Sequence, residues 1–316
     1  MNRILKFSCM VIGATLACGG SVSIGMGGAG VGAGVSKQSD YVKSINEWHD
    51  GRIQRLTAED GWLTLVGLFP LSNGTHTFGS ASDNDITLPA GSPGHAGSLT
   101  VQDSVVTLAP LPDAGMTLDG KPATETTLAS DASESGPTRV QMGSMQFYVI
   151  SRSSGLYLRV KDANSPVRKN FKGIDRFPVS DKWRVDAVFE RYNPPHPVKI
   201  PNVLGFEETV QCPGVLVFKI NGQTYRLEPM AQEGDQLSIV FGDASSGHDT
   251  YGGGRELYVP MPGPDGKTVV DFNKAYNPPC VFTTFATCPL PHRENILPFR
   301  VEAGEKMWGD SQHAKF

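Results

Sequence analysis

The sequence predicts a mainly β fold with a short N-terminal helix, a β-sandwich and a second β-rich lobe. Short apolar runs alternate with turn residues from residue 62 onward, whereas sustained helical periodicity is rare. Glycine and proline are abundant, with 36 and 23 residues among 316. These two residue types favour turns and irregular loops over long helices.

The predicted helix begins at Ser39 or Asp40, because either side chain can cap a first turn, and it runs to about Leu56. Apolar residues recur within it at helical spacing. We expect this helix to pack on the first sheet, with Arg52 and Arg55 in solvent.

The strand patterns that follow fall into two groups. Those up to residue 150, together with the helix, predict a sandwich domain over residues 39–150. A second β-rich lobe is predicted for residues 151–316, in which Asn221-Gly222 separates two apolar runs and predicts a tight hairpin. The segment Pro194-Pro195-His196-Pro197 predicts an extended connector or an edge strand.

The N-terminus has the pattern of an export signal. Arg3 and Lys6 precede an apolar core at residues 7–17, which is too short to cross a bilayer. The segment Thr15-Leu16-Ala17-Cys18-Gly19 resembles a bacterial lipoprotein cleavage site, with Cys18 as the acylated residue. We therefore expect a signal peptide at residues 1–18 and a Gly-rich linker at 19–38. Ordinary cleavage further along is the alternative, and both versions predict a periplasmic or membrane-anchored protein.

Charge and motifs exclude several function classes. The net charge of −4 argues against nucleic-acid binding, which needs a basic face. The run Gly252-Gly253-Gly254 precedes Arg255 and lacks the Lys-Ser/Thr of a phosphate-binding loop. The sequence identifies no cofactor. The expected partner is a small molecule or another envelope protein, with the membrane reached only through a lipid on Cys18.

Polar side chains gather on predicted loops of the second lobe, where proline and glycine would hold them in place. Asp243 and His248 are candidates for an acid–base pair or for metal ligands, and Arg255 is a candidate partner for Asp271 or for a substrate carboxylate. Glutamates near the end, Glu305 among them, are expected to be exposed. The candidate catalytic residues are Asp243, His248, Arg255, Asp271, Asn273, Asn277 and Cys280.

Three interpretations remain open for Cys280 and Cys288, which His292 follows closely. In an oxidising compartment the two cysteines can form a disulfide. With His292 they could instead bind zinc, although no short paired cysteine motif is present. They could also remain buried thiols, as we expect for Cys212.

Several of these segments resemble an uncharacterised bacterial family, domain of unknown function number sixteen eighty-four, over roughly residues 45–306. The resemblance brings no established activity, and so no catalytic residue can be carried over. The segments that carry it are Tyr251-Gly252-Gly253-Gly254-Arg255, Asp271-Phe272-Asn273-Lys274-Ala275-Tyr276-Asn277-Pro278-Pro279-Cys280 and Thr287-Cys288-Pro289-Leu290-Pro291.

The predicted sandwich also resembles a forkhead-associated domain, through Phe78-Gly79-Ser80, Asn84-Asp85-Ile86 and Leu118-Asp119-Gly120. Members of that family bind phosphothreonine with an arginine directly after the first glycine, where this chain has Ser80. The resemblance thus implies the sandwich shape without the phosphopeptide site. His95 is expected to be a structural or surface residue.

Two hypotheses on function follow from these observations. The first is a cell-envelope protein with a ligand or partner site in the C-terminal lobe. The second is a hydrolase that uses the candidate catalytic residues in a cleft. If Arg255 pairs only with another residue of the protein, it is not available to a substrate, and the first hypothesis is favoured.

Overall fold

A computed structural model describes residues 32–309, with side chains from residue 38 onward. The predicted signal peptide, Cys18 and the predicted linker up to residue 31 lie outside the described residues. Within the described part the protein is mainly β, as the sequence predicts, with one long N-terminal helix and several antiparallel sheets.

Helix α1 (Gly32–Thr57) begins earlier than predicted, inside the segment assigned to the linker. It does not leave Arg52 in solvent, because Arg52 donates to the buried Glu305 at 2.6 Å, 253 positions away in the chain. Tyr41 likewise donates to Asp271 at 2.8 Å. The helix is therefore anchored on the C-terminal lobe, which corrects the expectation that it packs on the first sheet. Among the described helices, none has both the length and the apolar character needed to span a bilayer.

Two sheets form the N-terminal sandwich. One has the order β1-β11-β10-β9-β6-β7 and the other β3-β2-β4-β5-β8. The strands are β1 (Leu65–Leu71), β2 (Gly74–Gly79), β3 (Ile86–Thr87), β4 (Gly97–Gln102), β5 (Val105–Pro110), β6 (Met116–Leu118), β7 (Lys121–Pro122), β8 (Thr126–Leu128), β9 (Val140–Met142), β10 (Met145–Arg152) and β11 (Gly155–Asp162).

The sandwich core lies between these sheets and contains residues from both. Phe78 of β2 meets Phe147 of β10 edge to face, with ring centroids 5.5 Å apart. Strand β11 pairs with both β1 and β10, so the sandwich extends to Asp162. The division predicted at residue 150 therefore differs from the structure, because it assigned the last central strand to the second lobe.

The C-terminal lobe follows helix α2 (Pro166–Lys169) and contains a four-stranded sheet of order β14-β13-β12-β18 and a three-stranded sheet of order β15-β16-β17. Asn221 and Gly222 have positive φ and connect β13 to β14, which confirms the predicted hairpin. The strands are β12 (Arg184–Pro201), β13 (Glu207–Ile220), β14 (Gln223–Leu227), β15 (Ala231–Glu233), β16 (Gln236–Phe241), β17 (Arg255–Pro260) and β18 (Lys267–Asp271).

Strand β12 is longer than the sequence pattern suggests, because it continues through Pro194 and Pro195. Its pairing with β13 shifts register between Arg191 and His196. Proline cannot donate to a ladder, and an irregularity of this kind is where a strand tolerates it. After the shift, His196 lies directly opposite Cys212.

After β18 the chain has no further strand up to residue 309, and short 3-10 helices alternate with extended loops. These loops, helix α1 and the first strand of the sandwich share a buried cluster that includes Leu56, Leu65, Tyr251, Val281 and Phe282. The C-terminal loops therefore lie at the junction of the helix and both β-rich parts. The short helices are Trp62–Thr64, Pro112–Ala114, Asp181–Trp183, Phe272–Lys274, Pro279–Val281 and Arg293–Asn295.

Candidate functional site

Arg255, the first residue of β17, is fully buried and makes an ion pair with Asp243, not with Asp271. Its Nη2 lies 2.8 Å from Asp243 Oδ2 and also donates to Val301 O at 2.9 Å. Its Nη1 donates to the carbonyl oxygen of Ala303. Burial lowers the pKa of Arg255, and the Asp243 carboxylate opposes that shift. The guanidinium therefore binds the protein's own C-terminal loop.

The Asp243 carboxylate also bonds to other parts of the protein. Its Oδ1 accepts from the backbone N of Ser245 at 2.7 Å and of Val301 at 3.1 Å. The carboxylate thus joins the loop after β16 to the loop at residue 301. His248, its predicted acid–base partner, lies exposed on the same turn. Asp243 and His248 therefore do not form the predicted pair.

Asp271 and Asn273 hold helix α1 and the segment before β12. Asp271 Oδ1 accepts from Tyr41, and Asn273 Nδ2 donates to Tyr41 Oη at 2.9 Å and to Ser180 O at 3.0 Å. Burial raises the pKa of Tyr41, and the Asp271 carboxylate adds to the effect. Both predicted site residues serve mainly as connectors between segments far apart in sequence.

Asn277 and Glu305 form a second buried polar centre. Glu305 is 1% exposed, which corrects the expectation that it lies in solvent. It accepts from the backbone N of Asn277 at 2.8 Å and from Arg52. His49 Nδ1 lies 3.8 Å away, and burial lowers the pKa of His49, so its imidazole is neutral at pH 7. Gly304 has φ +74°, and a Cβ there would clash with the Ala275 carbonyl, so glycine is required beside this centre.

Aromatic rings border the same centre. The Arg52 guanidinium carbon lies 4.4 Å from the centroid of Tyr276, which also contacts Trp48 and Tyr258. Burial raises the pKa of the Glu256 carboxyl, which has a hydrogen bond with Tyr276. The cluster attaches the helix to the lobe through stacking, a cation–π contact and a salt bridge.

Cys280 and Cys288 lie side by side, and no disulfide joins them in the part of the chain that the structure describes. The backbone N of Cys280 donates to Cys288 Sγ at 3.2 Å, and Tyr251 Oη donates to Cys280 Sγ at 3.5 Å. Burial raises the pKa of Cys288 well above its usual value, which disfavours the thiolate. The predicted disulfide stays a prediction for an oxidising compartment.

The weak zinc candidate of Cys280, Cys288 and His292 is not assembled. His292 points at Glu228 and Glu294. Three metal-ligating side chains meet elsewhere among the described residues, at His196, Cys212 and Glu228. Sequence reasoning missed this group because the three residues lie on separate strands, and only the register of β12 on β13 brings them together.

A concavity of about 580 Å³ lies where the sandwich meets the C-terminal loops. Most of its lining is apolar, and the Pro279–Val281 turn and the residues after it contribute one wall. Ser165 is 1% exposed, and its hydroxyl has no hydrogen-bond partner among the described residues. The lining residues are Leu65, Val66, Pro89, Ser165, Pro166, Val167, Val281, Phe282, Thr283, Thr284, Phe285 and Trp308.

The sequence offered a partial signal for this concavity. The loop around Cys280 was singled out, but for its cysteines and not for Val281 and Phe282, whose side chains form the wall. Ser165 and Val167 lie in a segment without a recognisable motif. Their role depends on how the sandwich packs against the loops, which no local pattern encodes.

A second concavity of about 610 Å³ is polar and lies beside the sandwich. Lys161, Asp60 and Gln146 are among its lining residues. Burial lowers the pKa of Lys161 to about 8, and its ammonium donates to the carbonyl oxygen of Asp60. Lys161 thus keeps its proton at pH 7 and helps to fix the turn after α1.

Residues 169–306 match the sequence profile of the family described as "Protein of unknown function (DUF1684)". The matched segment contains Asp243, Arg255, Asn277, Cys280 and Glu305, so the buried pairs above lie within it. Among curated proteins, no relative matches the chain.

One solved structure that resembles the chain is the solution NMR structure of an uncharacterised protein from Haloarcula marismortui. The two are 28% identical over 44% of this chain and 78% of that chain, with a TM-score of 0.37.

Proposed function

We propose that this protein is an exported, cell-envelope binding protein that holds a small apolar ligand in the concavity between the sandwich and the C-terminal loops. The observation that carries the proposal is a largely apolar hollow of about 580 Å³ whose wall includes Val167, Phe282 and Phe285. Ligand sites typically have this size and combine apolar walls with a few polar groups.

Binding without catalysis agrees with the contacts of the candidate catalytic residues. Asp243 and Arg255 neutralise one another inside the fold, and Asp271 and Asn277 hold other segments. A hydrolase needs a base or nucleophile that can reach a substrate. These four side chains are already bonded within the protein, so we favour the binding role over the hydrolase alternative.

The wall of the concavity indicates the chemistry of the ligand. Val167, Phe282 and Phe285 offer apolar surface, and the exposed Thr284 offers a hydroxyl that can donate or accept. We therefore expect an amphiphile with an apolar body and one hydrogen-bonding group.

Val167→Trp is expected to weaken binding of the fluorescent dye 1-anilinonaphthalene-8-sulfonate at least about tenfold, because the larger side chain fills the hollow. Thr284→Val is expected to weaken a hydroxyl-bonding ligand by about 1 kcal/mol with little change in volume. Dye titration followed by fluorescence measures the first effect, and displacement of the dye by a fatty alcohol measures the second.

Val188→Trp is the matched control for the dye experiment, since Val188 on β12 is 46% exposed and lies outside the hollow. It should bind the dye like the wild type. Equal dye affinity in Val167→Trp and the wild type would show that the dye binds elsewhere and would contradict the proposed site.

The envelope location rests on the leader, and Cys18→Ser tests the lipid anchor. We expect the wild type in the membrane fraction, with a mass increased by acyl chains on Cys18. The variant should lose both properties, because serine cannot form the thioether. A wild type found in the soluble periplasmic fraction, cleaved beyond residue 18, would instead support ordinary signal cleavage.

We infer that the N-terminal sandwich serves as a scaffold, forkhead-like in shape without the phosphopeptide site. In support of this, Ser80 donates its hydroxyl to Ser92 O at 2.8 Å, on the loop before β4. His95 is exposed and contacts Asn84 and Asp83, as a surface residue would. Leu65 and Val66 of the sandwich then form one side of the proposed ligand site.

A further inference from the structure

Three side chains of types that bind transition metals meet on the four-stranded sheet of the C-terminal lobe. They are His196 of β12, Cys212 of β13 and Glu228, which directly follows β14. One ligand atom of each lies within 4.8 Å of the other two. In the described chain, no other group of three His, Cys, Asp or Glu side chains is spaced this closely for an ion.

Strand register and a loop asparagine position these residues. His196 and Cys212 are direct partners across β12 and β13, just beyond the register shift that follows Arg191. Glu228 is held through its backbone: Asn295 Nδ2 donates to Glu228 O at 2.8 Å, and Asn295 Oδ1 accepts from Glu228 N at 2.8 Å. The group is therefore fixed by rigid elements, as a preformed metal site requires.

Two imidazoles face the Glu228 carboxylate from different elements. His196 Nε2 lies 3.6 Å from Oε1, and His292 Nε2 lies 3.8 Å from Oε2. Both separations are too long for a hydrogen bond. Bonds of about 2.0–2.3 Å to a tetrahedral zinc ion place its ligand atoms about 3.3–3.8 Å apart. The His196 nitrogen and the Glu228 oxygen thus have the spacing of two ligands that share an ion.

Neighbouring groups orient the ligands as they do around known metal sites. His292 Nδ1 lies 2.9 Å from Glu294 Oε2, so a second carboxylate leaves Nε2 directed at Glu228. Tyr192 donates to Glu228 Oε1 at 2.7 Å, and its ring stacks on His196 with centroids 4.2 Å apart. Such supporting partners around the first ligands are usual in metal sites.

We propose that His196, Cys212 and Glu228 bind a zinc ion as its three protein ligands, with His292 beside Glu228 as a supporting residue. One nitrogen, one sulfur and one oxygen form a donor set that zinc favours over magnesium or calcium. The Cys212 thiol, which donates to Gly214 O at 3.1 Å, releases its proton to solvent as the sulfur binds the ion. Each zinc ion bound therefore releases one proton.

Titration of the full mature protein with Zn²⁺, in competition with a chromophoric chelator, tests the proposal. We expect one ion per chain. Cys212→Ser and His196→Ala should each weaken binding more than about 100-fold, since loss of a supporting residue alone costs 10–100-fold. His292→Ala should weaken binding less, by about 10–100-fold, as loss of a residue that supports a ligand does. Co²⁺ in place of zinc should give a thiolate-to-metal charge-transfer band, which Cys212→Ser abolishes.

His95→Ala is the matched control, because His95 Nε2 lies 3.6 Å from Asp83 Oδ1 without a third ligand. It should bind zinc like the wild type. The His196 side chain is 44% exposed, so His196→Ala should fold. Zinc should then raise the melting temperature of the wild type and of His95→Ala but not of His196→Ala.

Two results would overturn the proposal. One is a wild type that takes up less than one zinc ion per chain at micromolar concentration. The other is a cobalt spectrum that is unchanged in Cys212→Ser, because the ion would then be bound elsewhere.

Discussion

Arg255→Ala is expected to lower the free energy of unfolding by about 3–5 kcal/mol. The substitution leaves Asp243 buried without its cation, and it leaves the Val301 and Ala303 carbonyls without their donor. A buried charge without a counter-charge is among the costliest defects that a fold can carry. Urea denaturation followed by fluorescence, with the wild type run in parallel, measures the loss.

Arg226→Ala provides the comparison for this experiment. Arg226 pairs with Glu190 at 2.7 Å, close to the 2.8 Å of Arg255 and Asp243, but its side chain is 57% exposed. We expect a loss below about 1 kcal/mol, since solvent screens an exposed pair. Similar losses in the two variants would mean that burial does not govern the Arg255 pair, against the architectural role assigned to it.

Glu305→Ala should destabilise the protein by a comparable amount, about 3–5 kcal/mol, and should also release helix α1. The Glu305 carboxylate accepts from Arg52 on the helix and from the backbone N of Asn277, and both donors would lose their partner. Limited proteolysis should therefore cut within residues 38–57 before the rest of the chain. Hydrogen exchange of the helix amides should rise in parallel.

Glu302→Ala tests whether any glutamate of this loop has the same effect. Glu302 is 51% exposed and lies 3.7 Å from Arg300, so its removal should cost little. A double-mutant cycle of Glu305→Ala with Arg52→Ala should give a coupling above about 1 kcal/mol for the buried pair. Additive losses would contradict a direct role of this ion pair in docking the helix.

Local patterns predicted the parts of the fold that depend on near neighbours. Asn221-Gly222 identified its hairpin because two positive φ angles in succession suit few other residue pairs. Alternating apolar runs identified the sandwich, although its last strand, β11, was assigned to the wrong lobe. That strand pairs with β10 in a tight hairpin whose loop lacks an Asn-Gly pair, and with β1 about 90 positions earlier, which no local pattern records.

Several of the candidate residues make contacts that the sequence did not predict. Asp243 and Arg255 do meet, yet as an internal pair, because the carbonyls of residues 301 and 303 use the guanidinium's other donors. Glu305 was expected in solvent because an isolated glutamate usually is exposed. It is buried because its carboxylate pairs with Arg52, which lies near the opposite end of the chain. Partners so distant in sequence cannot be assigned without the three-dimensional fold.

Helix α1 precedes the sandwich in the chain but completes the other lobe, through contacts that span 230 positions at Tyr41 and 253 at Arg52. During synthesis the sandwich can fold as soon as Asp162 has emerged, whereas the helix must wait until Glu305 is made. Contacts of such long range slow folding, so docking of the helix should be a late step. A fragment that begins just after the sandwich would contain Asp271 and Glu305 but lack the helix that binds them. Such a fragment should need a chaperone, or the missing segment supplied in trans, to fold.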